Sequence, residues 1–357
     1  MPRRWSRGSG LRPGWLKAAC CAGWKKRNTT MKLIHSEQDI DALRRSAQAY
    51  AIASAWSAAG LFEALAQEEP LSANELPADT RAIEITAPIL AHIGLLAGDG
   101  EKWTLSTAGR RLFEADALSL ESAEDNLGDL SRLDQVLENG GPVCGPDGES
   151  RVTQVGVREK DPENIRRFQD FLYRRSGDSA AEAARWLAPL LTPNAKVLDL
   201  GGGHGRYGQA LAEKGFAVTL FDLPLCIDYA RQRYGNTFEY IAGDFMQADL
   251  GGPYDAVLIS NIVHGLGPEE NRGLVSRVSA VLKPGGWLLL KDMFLDDSGI
   301  GPENAALFGL MMLFYTRQGR SYSVREMNDL CGACGLGEIR HVRVPDAGFS
   351  LLLARKP

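Results

Sequence analysis

From Asp39 to Leu65, apolar residues recur at helical spacing (Ile40, Leu43, Ala47, Tyr50, Ala51, Trp56), which predicts one or two amphipathic helices. Ser72 followed by Glu75 within Leu71–Leu76 predicts a capped helix start. Ile83–Leu96 predicts another helix, ended by Gly98, then a short strand over Lys102–Ser106 and a helix over Thr107–Phe113. Three helices and a small β-wing make a winged-helix-like unit. A helix over Ala123–Leu137 then gives way to a loop at Gly140–Gly148. Helical patterns resume at Pro162–Arg175 and Ala180–Leu191, with Phe168, Phe171, Leu172 and Trp186 on their apolar faces, and Thr192 and Pro193 close this linker.

Beyond Lys196 the period changes. Short apolar runs predict strands at Val197–Leu200, Ala217–Phe221, Phe238–Ala242, Ala256–Ser260 and Trp287–Asp292, separated by helical stretches. Such alternation requires a mostly parallel sheet with helices on both faces. Two more strands, Glu338–Val344 and Gly348–Ala354, close the chain around a turn at Pro345 and Asp346. The expected division is a basic extension at 1–30, a winged-helix-like domain at 31–120, linker helices at 121–192 and the sheet domain at 193–357.

The first strand of that sheet runs into Gly201, Gly202, Gly203 and Gly205, and the second ends in Asp222. Glycines let a loop backbone approach a ligand, and an acid at the next strand tip accepts hydrogen bonds from ribose hydroxyls. The spacing Gly-x-Gly-x-Gly differs from the dinucleotide fingerprint Gly-x-Gly-x-x-Gly. A short loop of this kind suits a nucleoside with an amino-acid tail better than a pyrophosphate, and S-adenosylmethionine (SAM) is the natural candidate.

Composition narrows the partners. The formal charge is −5, but residues 1–30 carry eight basic side chains and no acid, leaving −13 on the other 327 residues. An acidic body argues against nucleic acid as the main partner. Residues 1–30 read as a disordered extension or an upstream mis-start ahead of Met31, their apolar part, Ala18–Ala22, being too short for a secretory core. No apolar run approaches the ~20 residues of a membrane span. Six cysteines without a framework fit a cytoplasmic setting. The C-x-x-C at Cys331–Cys334 closes a helical pattern and lacks a second pair, so it reads as structural, and no metal site is expected.

Further motifs fall at strand ends in order: Gly243-Asp244-Phe245 after the third strand, then Asn261-Ile262-Val263-His264 after the fourth. In an open α/β sheet these segments converge on one crevice. Their order, with Phe221–Pro224 and Lys283–Gly286, resembles the SAM-dependent O-methyltransferase family of plant phenolic, acetylserotonin and bacterial secondary-metabolite enzymes. Gly60–Leu65 and Trp103–Gly109 are similar to that family's winged-helix-like dimerisation domain, so the resemblance spans about residues 36–357. It implies an α/β fold, a seven-stranded class I methyltransferase sheet with its last strand antiparallel, preceded by an all-α dimerisation domain, and a homodimer. It implies that Gly201, Gly202 and Gly203 floor the methionine part of SAM and that Asp222 holds the ribose. Leu223 would pack on adenine, Asp244 would accept from the adenine amino group, and Phe245 would lie against the ring. Asp222 also reads as a helix cap and Asp244 as the close of a turn.

His264 matches the family's general base, and Asp292, at the tip of the adjacent strand, matches a carboxylate behind it. A phenol becomes a useful nucleophile only as its proton leaves, and imidazole is suited to that removal at neutral pH. Three positions depart from the plant pattern. Ser260, counted with the cofactor-binding set, stands where a lysine is found, and Gly265 replaces an acid. The segment Gly319–Ser323 lacks the second catalytic glutamate. Met311, Met312, Phe314, Phe168 and Phe171 are candidate walls for a flat apolar acceptor, and each also reads as ordinary helix core. Arg174, Arg175, Arg317 and Arg320 could meet an acidic substituent or remain solvated. The expected activity is methyl transfer to a hydroxyl of a small aromatic or conjugated metabolite. C-methylation of an enol, phenol or tetrapyrrole on the same scaffold is the nearest alternative. A winged-helix DNA-binding regulator is a third, disfavoured because the segment at 82–96 carries little positive charge.

Overall fold

The computed structural model describes residues 34–66, 70–114, 129–144, 162–344 and 348–357. The expected extension at 1–30, the start of the helix at 123, the loop beyond Cys144 and the turn at 345–346 lie outside the described residues. The chain divides into two compact units, residues 1–119 and 120–357.

In the first unit, helix α1 (Glu37–Ala58) starts at Ser36, whose hydroxyl accepts from the Asp39 N–H, and α2 (Leu61–Leu65) follows. Ser72 and Glu75 form the expected capping box, but on a single 3₁₀ turn (Ala73–Glu75) rather than a full helix. Helix α3 (Thr80–His92), capped by Asp79, ends four residues before the expected Leu96. Gly94, at φ +83°, turns the chain there, and Leu96 is freed to enter a strand. Strands β1 (Leu71–Ser72), β2 (Leu96–Gly98) and β3 (Lys102–Leu105) pair antiparallel in the order β1-β3-β2, and α4 (Thr107–Glu114) follows. The unit is therefore helical with a three-stranded sheet. Its core gathers Trp56, Phe62, Leu65, Ile83, Leu90, Trp103 and Leu105.

In the second unit, α5 (Leu133–Asn139), α6 (Pro162–Arg175) and α7 (Gly177–Leu187) precede the sheet. Along the chain then come β4 (Lys196–Leu200), α8 (Arg206–Ala212), β5 (Ala217–Asp222), α9 (Pro224–Tyr234), β6 (Glu239–Ala242) and β7 (Tyr254–Ser260). They are followed by α10 (Pro268–Val281), β8 (Leu282–Asp292), α11 (Glu303–Tyr315), α12 (Val324–Ala333), β9 (Gly337–Arg343) and β10 (Ser350–Arg355). The strands form one seven-stranded sheet in the order β6-β5-β4-β7-β8-β10-β9. The first five strands in that order pair parallel, and β10 runs antiparallel to both β8 and β9. The order reverses between β5–β4 and β4–β7, which opens a crevice at the carboxyl edge of β4.

Strand alternation sorts the buried side chains onto two faces. Leu198, Leu200, Phe221, Val257, Ile259, Leu288 and Leu290 pack with α10 and α12 through Leu274, Val275, Val278 and Met327. Val197, Val218, Leu220, Ala256, Leu258 and Leu289 pack with α7, α8 and α9 through Ala183, Leu187, Leu211, Ile227 and Ala230. Cys331 is fully buried in the first of these cores, and Cys334 is the α12 C-cap. Burial pushes the Cys331 thiol up to about 12, which leaves it an inert core residue.

Helix α6 departs from the expected burial. It buries Ile165 and Gln169, whereas Phe168 and Phe171 are exposed, and so is Trp186 on α7. Phe314 departs the other way, closing a small core with Val136 and Val143 instead of lining an open wall.

Candidate active site

The loop after β4 is built on backbone conformations that side chains rarely adopt. Gly201 lies at φ +71°, and a Cβ there would meet Ile262 Cδ1 at 2.7 Å. The Gly201 N–H donates to the Phe221 carbonyl at 2.8 Å, stitching the loop to the tip of β5. Gly203 lies at φ +46°, and its N–H donates to Asp222 Oδ2 at 2.7 Å, while Asp222 Oδ1 accepts from the Leu223 N–H at 2.7 Å. Asp222 thus holds loop and strand tip together and engages the N–H of Leu223, the N-cap of α9, where Pro224 occupies the first helical turn. Asp244 closes its own turn, Oδ1 accepting from the Met246 N–H at 2.8 Å, and Phe245 is half-buried beside it. The structure therefore brings Gly201–Gly203, Asp222, Leu223, Asp244 and Phe245 to one edge of the sheet.

Three polar groups near this loop carry no motif signal. Asp199, in the middle of apolar β4, is 1% exposed, and the Gly208 N–H is the donor beside its carboxyl. Burial pushes its pKa up to about 7; the Gly208 N–H offsets part of that, and the nearby Asp222 charge adds to it. Gln169 of α6 is buried, with Oε1 unpartnered and only 2.8 Å from where a Cβ of Gly203 would stand. His204 is buried with Nδ1 accepting from the Arg206 N–H at 3.1 Å, and burial, followed by the Arg206, Arg233 and Lys291 charges, lowers its pKa to about 4. One signal was readable for Asp199: an acid interrupting the run Val197–Leu200. Gln169 and His204 owe their places to packing between distant segments.

On the other face of the same edge, His264 sits in a 3₁₀ turn (Val263–Gly265) just past β7. Its Nδ1 lies 2.8 Å from Asp292 Oδ1 at the tip of β8, and its backbone N–H points to Oδ2 at 3.4 Å. The Asp292 side chain is 2% exposed and that of His264 16%, so the acid is enclosed while the ring keeps an opening. Burial alone would raise the Asp292 pKa. The His264 ring, Lys291 and the Met293 N–H outweigh it and hold the carboxyl below its ordinary value. The Phe308 ring of α11 meets the imidazole edge-on, with centroids 4.7 Å apart at 88°. Met311 and Met312 on the same helix are half-buried.

The segment lacking the expected glutamate supports this turn. The Arg320 N–H donates to the His264 carbonyl at 2.8 Å, the Tyr322 hydroxyl donates to the Leu266 carbonyl at 2.6 Å, and Ser321 Oγ donates to the Ala305 carbonyl at 2.6 Å. Gly319 is required there because a Cβ would collide with the His264 carbonyl. Of the arginines expected near an acceptor, Arg320 pairs with Glu326 and lies over the Tyr322 ring, and Arg175 lies over the Phe171 ring.

The crevice fits a nucleoside with a polar tail. Positive-φ glycines leave no side chains in its floor, and the unpartnered Gln169 Oε1 and the buried Asp199 carboxyl supply polar atoms beside it. Comparison with known proteins agrees. A 3-hydroxy-5-methyl-1-naphthoate 3-O-methyltransferase from Streptomyces sahachiroi is 28% identical over 83% of this chain and 88% of that protein. Acetylserotonin O-methyltransferase from Gallus gallus is 30% identical over 46% of this chain and 49% of that protein. Human N-acetylserotonin methyltransferase in complex with SAM shares the fold with a TM-score of 0.71 at 19% identity, covering 91% of this chain and 99% of that chain. Mitomycin 7-O-methyltransferase MmcR does so at 0.73 and 20%, covering 90% of this chain and 98% of that chain. Residues 150–337, more than half of the sequence, match the O-methyltransferase domain family. The chain belongs to that family and is a SAM-dependent O-methyltransferase of the secondary-metabolite type.

Proposed function

We propose that this enzyme methylates a hydroxyl of a small aromatic or conjugated metabolite, with His264 as the general base and Asp292 as the residue that orients it. The observation that carries this reading is the 2.8 Å contact between His264 Nδ1 and an enclosed Asp292 carboxylate. With Nδ1–H donated to Asp292, Nε2 holds the free lone pair of the neutral ring. Nε2 is placed to take the acceptor's O–H proton. Held by the glycine loop, SAM would supply the methyl group from its sulfonium centre and leave as the neutral thioether, S-adenosylhomocysteine. Asp292 stabilises the imidazolium that results. Phe308, Met311 and Met312 provide the apolar surroundings that a flat acceptor requires, and the naphthoate O-methyltransferase relative acts on such a ring. Gly201–Gly203, Asp222, Leu223, Asp244, Phe245 and Ser260 make up the cofactor-binding set in this reading. Incubating the protein with methyl-labelled SAM and a panel of phenols, enols and tetrapyrroles tests it. Label that is found only on carbon would establish C-methylation instead.

The same proposal includes a homodimer formed through a winged-helix-like first unit. On α3, Ile85, Ile89 and Ile93 just beyond it recur every four residues and are all exposed, as are Ile40, Leu43 and Tyr50 on α1. An apolar stripe of this kind suits a second protein surface, whereas a DNA-reading helix would be basic. Light scattering at micromolar concentration is expected to give twice the chain mass. A monomer mass would remove the dimer.

A further inference from the structure

Lys291 is a buried cation that the chemistry above leaves without a ligand to hold. It is the penultimate residue of β8, 6% exposed, and paired in register with Ser260 across the parallel β7–β8 ladder. Strand alternation puts it on the face that also carries Asp199, Asp222 and Ser260, opposite the face of Asp292 and His264. Its Nζ donates to Asn261 Oδ1 at 2.7 Å and lies 4.8 Å from the Phe349 ring centroid. Among the described residues no carboxylate forms an ion pair with it. Asn261 is held for this role from two sides: its N–H donates to the Lys291 carbonyl at 2.9 Å, and its backbone sits at φ +57°. Asparagine tolerates that region better than other side chains with a Cβ.

The ammonium touches one neutral amide and a ring face, and the nearest carboxylate charge, Asp292, is on the opposite face and engaged by His264, so its counter-charge is incomplete; burying a charge is costly unless it is paired. The shortage points to a ligand anion. The His264 face already has its carboxylate, so the anion belongs on the face of the glycine loop. The donor brings one such group, the α-carboxylate of its methionine tail. We propose that Lys291, steered by Asn261, is the residue that recognises this carboxylate. A lysine has three donors; Asn261 occupies one, and the others remain for the ligand.

This rests on SAM as the donor, and a pair of ligands separates the two ideas. S-adenosylhomocysteine carries the carboxylate, and 5′-methylthioadenosine has the same nucleoside and sulfur without the amino-acid tail. Dissociation constants for both, by calorimetry on wild type and Lys291→Met, form a cycle. A charge-assisted hydrogen bond predicts that Lys291→Met weakens S-adenosylhomocysteine about 10- to 100-fold and leaves methylthioadenosine within about threefold. Methionine matches the length of lysine and removes a buried charge, so the fold is expected to hold. Unchanged methylthioadenosine affinity reports that it does, and Lys291→Gln repeats the cycle with a polar side chain. Equal loss for both ligands would make Lys291 purely structural and overturn the proposal. Unchanged S-adenosylhomocysteine affinity would overturn it too. Wild-type protein that bound neither ligand would remove the donor itself.

Discussion

The two faces of the sheet's carboxyl edge are built on opposite terms. On the β8 side, His264 is held from three directions: Nδ1 by Asp292, its carbonyl by Arg320, its ring by Phe308. On the glycine-loop side, Gln169 Oε1 is buried without a hydrogen-bond partner, the buried Asp199 carboxyl has only the Gly208 N–H beside it, and Lys291 touches one neutral amide. The first face is organised before any ligand arrives; in the proposed reading, the second is completed by one. A base must meet its proton in a fixed geometry, because misplacement lowers the rate directly. A binding face can carry unmet polar groups, because the ligand's own donors and acceptors meet them later.

The largest effect should come from breaking the organised face. His264→Gln is expected to lower turnover by on the order of 10²–10⁴ while preserving S-adenosylhomocysteine affinity. The loss should shrink as pH approaches the acceptor's own pKa, where the acceptor ionises without help. Near-wild-type turnover at neutral pH would mean that proximity alone drives transfer. Asp292→Asn should cost less, about 10- to 100-fold in turnover, since the imidazole stays in place but loses its orienting charge. A loss as large as that of His264→Gln would make the carboxylate more than an orienting group.

Next comes the binding face. Asp222→Ala removes the acceptor of both the Gly203 and Leu223 N–H groups. SAM affinity should fall by about one to two decades, with turnover at saturating donor much less affected. Calorimetry that finds unchanged affinity would take Asp222 out of the ribose site.

The smallest effect is on stability and tests the buried carboxyl. Asp199 has a folded pKa of about 7 against an ordinary value near ~3.9 in the unfolded chain. Between those values the folded state keeps a proton that the unfolded state has released. Stability from this group therefore falls as pH rises from about 4 to about 7 and is level above that. Asp199→Asn should melt about 2–4 °C above wild type at pH 8 and level with it at pH 4. Thermal denaturation curves with the same offset at both pH values would show that Asp199 does not titrate in this range.

Some of this was legible in the residues alone. Local chemistry reads locally: the glycines after β4 mark a loop, which Gly201 and Gly203 enter at positive φ, Ser72 and Glu75 form their capping box, and apolar runs set every strand of the large sheet to within two residues at each end except the start of β8. Helix ends were harder. The segment at 83–96 is mostly apolar, and only the turn at Gly94 divides it between α3 and β2. Phe168, Phe171 and Phe314 show the limit of periodicity, which finds an apolar face without saying what covers it. Phe314 meets Val136 and Val143, nearly 180 residues away in sequence, while Phe168 and Phe171 stay exposed.

By itself the sequence determined the strand order along the chain, the glycine loop, and the residues that stand at strand tips, because each depends on neighbours a few positions away. Only the tertiary structure decided which of those residues meet. Adjacent positions on β8, Lys291 and Asp292, point to opposite faces, so one answers to His264 and the other to Asn261. The sheet order puts β7 beside β8, and strand alternation does the rest. Such pairings are long-range and depend on which chain segments are brought side by side, and no local pattern encodes that.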